Sequence, residues 1–146
     1  MLRKFGLVVA LTAICITTPS AARNDRKSYP LRPAISSSTS SERLDPKVRL
    51  FFGSQRHAGI AKDLGATQAY KKGSGPTDQA ACESALRNAL IQLQFQAVSL
   101  GGNAVVGISS MHQKDRMTSE TEFICGAGSF SSSVIVTGRV VTIGAK

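Results

Sequence analysis

The chain has few of the side chains that build most catalytic and nucleic-acid-binding sites. Its 146 residues contain no tryptophan, two histidines and nine acidic residues, and only 5% of the residues are aromatic. The phenylalanines mostly occupy apolar positions that a core would take, so they do not alternate with basic residues to form a base-stacking platform. Despite the formal net charge of +9, we therefore expect no nucleic-acid partner.

The scarce polar groups also show no catalytic or metal-binding spacing. His57 and His112 lie far apart in the sequence, without the spacing of zinc ligands. Glu120 and Glu122 alternate on the solvent face of a strand and form no inward carboxylate pair. The serines of residues 129–133 do not match a nucleophile elbow. We therefore expect no enzyme activity, no metal and no cofactor.

The only long apolar run lies at the N-terminus. Residues 1–22 have the three parts of an export signal: basic Arg3 and Lys4, an apolar stretch over residues 5–16, and small residues that end at Ala22. The apolar stretch is shorter than the roughly 20 residues of a spanning helix. The alternative is a retained N-terminal anchor. We predict cleavage after Ala22, a periplasmic or secreted protein, and no transmembrane segment in the mature chain.

Export changes what the three cysteines can do. Cleavage removes Cys15 and leaves Cys82 and Cys125, and two cysteines in an oxidising compartment most simply form one disulfide. Cys125 shares a strand face with Phe123 and can point at the helix stripe that contains Cys82. The alternative is two buried free thiols.

The mature chain divides into a polar segment and one domain. Residues 23–46 have no hydrophobic period and are rich in serine, proline and basic residues, which predicts a disordered tether. Its positive charge lies on Arg23, Arg26, Lys27 and Arg32, and this cluster is either a solvated tail or a segment attracted to an anionic surface. Residues 47–146 form the predicted domain.

The domain pattern predicts an α+β fold. Apolar residues recur at steps of three and four between residues 82 and 100, which predicts one long amphipathic helix, capped by Thr77 or Asp78 and ended by Gly101 and Gly102. Strands are predicted at residues 48–52, 104–111, 118–125 and 133–143, and residues 65–71 are either a short strand or an irregular lead-in to the helix. The expected architecture is this helix on a mainly antiparallel sheet of four to five strands, in the order β-β-α-β-β-β, with the last three strands as a meander.

A loop rich in glycine and lysine stands directly before the predicted helix. Such a loop can hold an anion through backbone amides and the helix N-terminus, although it does not match the P-loop pattern. The alternative is a flexible loop before a capped helix. The exposed helix face, with Arg87, Asn88, Gln92 and Gln96, is a second candidate surface. The candidate anion-binding or partner-binding residues are Lys71, Lys72, Gly73, Ser74, Gly75 and Arg87.

Two segments resemble a group of small bacterial envelope domains. Residues 92–107 contain a helix end followed by Leu-Gly-Gly-Asn-Ala-Val, and residues 45–53 read Asp-Pro-Lys-Val-Arg-Leu-Phe-Phe-Gly. The first segment is similar to the RcsF stress-sensor lipoprotein and the YbjQ-type domains. The second is similar to the start of small exported proteins of Gammaproteobacteria. The resemblance implies the same fold, a Cys82–Cys125 bridge and a role in the envelope. Some relatives bear the name excinuclease ATPase subunit, but this chain has neither a P-loop nor paired CxxC motifs.

These observations together favour a binding protein. The leading hypothesis is a non-catalytic, disulfide-stabilised exported protein that binds an envelope protein or an anionic envelope polymer, with the envelope-stress role that the resemblance implies. The alternative is a small-ligand-binding or metal-binding module that forms oligomers like the YbjQ-type domains.

Overall fold

The computed structural model describes residues 22–36 and 43–144, and these ranges contain two helices and seven strands. The α+β class predicted from the sequence is confirmed. In chain order the elements are β1 (Asn24–Pro30), α1 (Leu31–Ser36), β2 (Arg49–Phe52), β3 (Ile60–Gly73), α2 (Asp78–Ser99), β4 (Ala104–His112), β5 (Asp115–Met117), β6 (Glu122–Gly128) and β7 (Ser132–Ile143).

Strand β7 organises the sheet. It pairs antiparallel with β3 along its whole length, and its other edge pairs with β6 at its start and with β4 further along. Strand β2 adds to β4 in parallel, β5 pairs antiparallel with β4, and β1 pairs antiparallel with β6. The described part of the chain thus forms a mixed sheet of seven strands, whereas the sequence predicted four to five.

The predicted meander of the last three strands is wrong. In a meander β4 would pair with β6, but its antiparallel ladder runs to β7, from Ala104 opposite Val141 to Met111 opposite Ile135. Strand β7 is 12 residues long and therefore has room for β6 at its start and β4 beyond. The full length of β6 pairs instead with β1.

Helix α2 has well-formed ends. The hydroxyl of Thr77, the N-cap residue, accepts a hydrogen bond from the Ala80 N–H. At the other end Gly101 has a φ of +79°, its N–H donates to Val98 O, and the Gly102 N–H donates to Ala97 O. These two bonds form a Schellman motif, which requires the left-handed conformation that glycine adopts at little cost.

The core lies between α2 and one face of the sheet. The apolar stripe of α2 is inaccessible to solvent at Leu86, Leu90 and Leu93, and it packs on β3 and β7. Val136 and Val140 of β7 are equally buried. Truncating one of these leucines to alanine removes packing that is worth about 2–5 kcal/mol.

A disulfide joins Cys82 of α2 to Cys125 of β6, as predicted. The two Cα atoms are 5.9 Å apart, and neither residue is exposed. The bond links the start of the helix to the sheet across 43 positions of sequence, so it constrains the unfolded chain more than a short loop would.

The prediction of a disordered tether is wrong for residues 24–36. Every residue of β1 pairs with β6, from Asn24 opposite Gly128 to Pro30 opposite Glu122. In α1, Leu31 and Ala34 are buried in the main core. The backbone ladder satisfies the main-chain N–H and C=O groups regardless of side chain, so a polar and basic strand is stable once a partner strand is present. Residues 37–42, the serine-rich part of the predicted tether, lie outside the described residues.

The N-terminal predictions concern residues that lie almost entirely outside the described ranges. The predicted export signal covers residues 1–22, of which only Ala22 belongs to the described ranges, where it is exposed. Within those ranges no helix combines the length and hydropathy needed to span a membrane. Export and cleavage after Ala22 stay predictions.

Candidate binding face of the sheet

Helix α2 packs on one face of the sheet, and the opposite face is the candidate functional surface. Alternation along β3 places Ala69 and Gly73 toward α2, because Ala69 is buried in the core and a Cβ on Gly73 would lie 2.1 Å from the Ala85 nitrogen. Gln68, Tyr70 and Lys72 therefore point to the other side, which we name the open face. All three are exposed.

The strand register sets the residues of the open face in rows. Gln68 lies opposite Thr137, which in turn lies opposite Ser109 on β4. The next row is Tyr70, Ile135 and Met111. The β4–β7 register shifts between Val106 and Ser109, where Gly107 has a φ of +62°, a value that favours glycine. This bulge allows both Val106 and Ser109 to lie on the open face.

The first cavity of the open face has a volume of about 500 Å³. Val106 and Gly107 of the β4 bulge line it, and Arg116 lines it from β5. Apolar and backbone groups form much of the wall, and the two charged lining residues are both arginines. The lining residues are Ala66, Thr67, Gln68, Val106, Gly107, Arg116, Thr137, Gly138 and Arg139.

Arg116 is held by two neutral hydroxyl groups. Its Nη1 donates to Ser109 Oγ at 3.1 Å and to Thr137 Oγ1 at 3.2 Å, and the two hydroxyl oxygens are 3.0 Å apart. Ser109 is only 4% exposed, so the guanidinium is anchored on a buried group. No carboxylate of the described residues forms an ion pair with Arg116.

The second arginine of this cavity is already neutralised. Arg139 Nε and Nη2 donate to Asp63 Oδ2 at 2.9 and 2.8 Å. A hydrogen bond from the Gly65 N–H and those from Arg139 hold the pKa of Asp63 below its ordinary value, so the carboxylate stays charged. The cavity therefore has one uncompensated positive charge, that of Arg116.

The second cavity, of about 520 Å³, lies at the other end of the open face. Phe130, at the tip of the β6–β7 connection, is 97% exposed, and Tyr70 is 53% exposed. Lys72 and Arg23 supply positive charge, and neither cavity has an acidic residue in its lining. The remaining lining residues are Ala22, Asn24, Gly126, Gly128, Ser129, Ser131 and Ser133.

The predicted anion-binding loop spans the end of β3 and the connection to α2, where Lys72, Gly73 and Ser74 line one cavity of about 310 Å³. Lys71, Lys72 and Gly73 end β3, while Ser74 and Gly75 are exposed residues before α2. A Cβ on Gly73 or Gly75 would lie within 3 Å of α2 backbone atoms, so close packing accounts for both glycines. Of the five residues only Lys72 reaches the open face.

The prediction that Arg87 belongs to an exposed helix face is wrong. Arg87 is only 9% exposed, and its Nη1 donates to Ala34 O of α1 at 3.2 Å. Two other polar residues of that face also serve the fold. Asn88 donates to Lys72 O at 3.1 Å and Gln96 to Gln68 O at 3.3 Å, which covers two edge carbonyls of β3.

The two histidines lie in different surroundings. The ring of His57 packs edge-on against Phe51, with centroids 5.4 Å apart, and its Nδ1 is 2.8 Å from Ala58 O. His112 is buried close to Gly126, where a Cβ would lie 2.5 Å from the imidazole. Across residues 22–36 and 43–144, no cluster of three or more His, Cys, Asp or Glu side chains has an arrangement that could hold a metal ion.

Sequence reasoning missed Arg116, Ser109 and Thr137 as a group. They lie on three different strands, and their meeting depends on the β4–β7 register and on the turn back of β5. No short motif in the sequence marks such a set.

Comparison of the chain with protein-family models, with curated proteins and with solved structures gave no match. The resemblance to the RcsF and YbjQ-type domains thus rests on the two sequence motifs and stays a prediction.

Proposed function

We propose that this protein is an exported, non-catalytic binding protein of the bacterial cell envelope and that the open face of its sheet binds the partner. The observation that carries the proposal is the charge pattern of that face. None of the lining residues of its two cavities is acidic. Arg139 is paired with Asp63, and Arg23 with Asp25 and Asp78, so among the described residues Arg116 and Lys72 supply the uncompensated positive charge. A surface of this sign attracts an anionic envelope protein or polymer.

The disulfide supports the proposed location in the periplasm. Bonds of this kind persist in oxidising environments, and the bacterial periplasm is one of them. Cys82–Cys125 is fully buried and joins two core elements, which is typical of a structural disulfide. An envelope-stress role follows from the RcsF resemblance and is part of this proposal.

A small-ligand-binding module is the second candidate function. The first cavity supports it, since about 500 Å³ lies within the range of small-molecule pockets. This alternative keeps the same face and changes only the size of the ligand.

The first experiment tests export. The intact mass of protein isolated from cells is measured after alkylation, with and without prior reduction. We expect a chain that begins at Arg23, two hydrogens lighter than the dithiol and alkylated only after reduction. A full-length mass with free thiols would contradict the proposal.

The second experiment tests the face. A photoreactive amino acid is placed at Gln68 or Tyr70 on the open face, and at Ser99 on α2 as the matched control, and intact cells are irradiated. We expect envelope adducts from positions 68 and 70 and none from position 99. Equal adducts from all three positions, or adducts from position 99 alone, would reject the open face as the binding surface.

A further inference from the structure

We infer that Arg116, held by Ser109 and Thr137, forms a site for a single carboxylate group of the ligand. The inference rests on the proposed function, because it names the chemistry that the open face recognises. It follows from the donors that Arg116 leaves available, from the charge of the first cavity and from the cavity lining.

The hydrogen bonds of Arg116 leave one edge of the guanidinium available. Both Nη1 hydrogens are used, one by Ser109 Oγ and one by Thr137 Oγ1. The Nε and Nη2 hydrogens have no protein acceptor within the described ranges. This edge presents two parallel N–H groups, whose spacing matches the two oxygens of a carboxylate.

The two hydroxyls add a further donor. Ser109 and Thr137 share one hydrogen bond, in which one hydroxyl donates and the other accepts. The hydrogen of the accepting hydroxyl is then available to a ligand oxygen. Because the oxygens of both hydroxyls face the guanidinium, they also hold Arg116 in one position before a ligand arrives.

The charge of the cavity favours a monoanion. Arg139 is paired with Asp63, so Arg116 is the single uncompensated charge among the lining residues. A dianionic phosphate would leave excess negative charge, whereas one carboxylate gives neutrality. Ala66 and Val106 supply apolar contact for the carbon atoms beside the carboxylate.

Two sources in the envelope share this chemistry: the C-terminal carboxylate of a peptide and the carboxylate of an acidic sugar. The probes are N-acetyl-alanyl-alanine, its C-terminal amide, galacturonate and inorganic phosphate. Each is titrated into the oxidised mature protein, and the dissociation constant is followed by NMR at the Arg116 Nε–H and at the Thr137 amide.

We expect the peptide acid, galacturonate or both to bind at Arg116, and the peptide amide to bind at least tenfold more weakly than its acid. Peptide binding alone identifies a chain terminus as the source, and galacturonate binding alone identifies an acidic sugar. Equal shifts with acid and amide, phosphate binding in preference to both acids, or no shift with any probe would overturn the inference.

Three variants distinguish binding at Arg116 from a general effect of the protein's positive charge. R116Q should weaken the affinity for the carboxylate probe by about tenfold or more. R116K should recover only part of this loss, because an ammonium group does not present two parallel N–H donors. R56Q removes an exposed arginine elsewhere in the described chain and should leave binding unchanged. Equal weakening by R116Q and R56Q would overturn the inference, and thermal unfolding checks that each variant is folded.

The crosslinking and titration experiments together distinguish a wrong carboxylate site from a wrong proposed function. Adducts from positions 68 and 70 without carboxylate binding at Arg116 would reject only the carboxylate site. Carboxylate binding without envelope adducts would reject the envelope partner and leave the small-ligand alternative.

Discussion

At the scale of single residues, several polar side chains act as internal clamps. Gln94 is only 4% exposed, and its side-chain amide donates to Asp45 O and Val48 O at 2.9 and 2.8 Å. Its carbonyl oxygen accepts from the Asp45 N–H at 2.8 Å. One side chain on α2 thus holds the turn that leads into β2.

We expect Gln94→Ala to lower the free energy of unfolding by about 1–3 kcal/mol, because it removes three hydrogen bonds to the backbone of Asp45 and Val48, of which the one to Val48 O is buried. Chemical denaturation with urea measures the change. Gln92→Ala is the matched control on the same helix, where a more accessible side chain should change stability by less than about 0.5 kcal/mol. Equal effects of the two variants would contradict the clamp role of Gln94.

Glycine also acts at this scale. A Cβ on Gly73 would lie 2.1 Å from Ala85 N and 2.5 Å from Ala81 O, and both are helix backbone atoms that cannot move aside alone. We expect Gly73→Ala to destabilise the protein by about 1–3 kcal/mol or more through overpacking, measured by thermal unfolding.

Gly59→Ala is the control for Gly73. A Cβ there would meet nothing within 4 Å, and the backbone does not require glycine. This variant should be neutral or slightly stabilising. If Gly73→Ala were as stable as Gly59→Ala, the close approach of β3 to α2 would be refuted.

At the scale of secondary-structure elements, an ion pair joins the start of β1 to the start of α2. Arg23 Nη1 donates to Asp78 Oδ1 at 3.3 Å, and Arg23 Nη2 forms a second, shorter contact with Asp78 Oδ2. The hydrogen bonds from Arg23 lower the pKa of Asp78. Asp78 also lies in the first turn of α2, where a negative charge is favourable.

The Arg23–Asp78 ion pair should make the free energy of unfolding depend on pH. Because the pKa of Asp78 is lower in the folded chain than in the unfolded chain, its contribution to stability is present above the unfolded pKa of about 4 and is lost as the pH falls through the folded pKa. Denaturation curves of wild type and D78N should therefore differ at pH 7 and converge below about pH 4. A difference that grew on acidification would contradict the ion pair.

Helix α2 shows how far local sequence determines structure. The stripe and caps of α2 are local signals, and Thr77, Gly101 and the buried leucines lie as the sequence predicts. The surface of α2 does not follow the same rule. Arg87 and Gln94 are buried beside α1 and the β2 turn, while Phe95 is 67% and Val98 58% exposed. The partners that bury those polar groups lie 46 to 53 positions away.

Strand β1 illustrates the same limit in a sheet. Its sequence is polar and basic and contains no hydrophobic alternation, so composition predicts disorder. Its order depends on the unpaired edge of β6, almost 100 positions later, whose existence cannot be read from residues 24–30.

At the scale of the whole molecule, the disulfide connects the two layers. In the chain-entropy model, a bond that closes a 43-position loop stabilises by about 4 kcal/mol. We expect the C82A/C125A variant to lose stability of this order in urea denaturation under oxidising conditions. The double variant avoids leaving one buried free thiol.

Reduction provides the control for the disulfide. Adding a reductant should destabilise the wild type and leave C82A/C125A unchanged, because only the wild type has a bond to break. A reductant effect of equal size in both proteins would contradict the assignment of the stability to Cys82–Cys125.

The sequence by itself determined the α+β class, the core stripe and ends of α2, and the cysteine pair. These depend on local periodicity, on glycine and capping chemistry, and on the two cysteines that remain of the three after the predicted cleavage. Only the tertiary structure decided the strand order, the folding of β1 and α1, the burial of Arg87 and the meeting of Arg116 with Ser109 and Thr137 on the open face. Those features arise from backbone pairing and polar contacts between segments distant in the chain. A ladder between two strands forms through N–H and C=O groups that every residue other than proline has, so side-chain identity does not specify which strands meet.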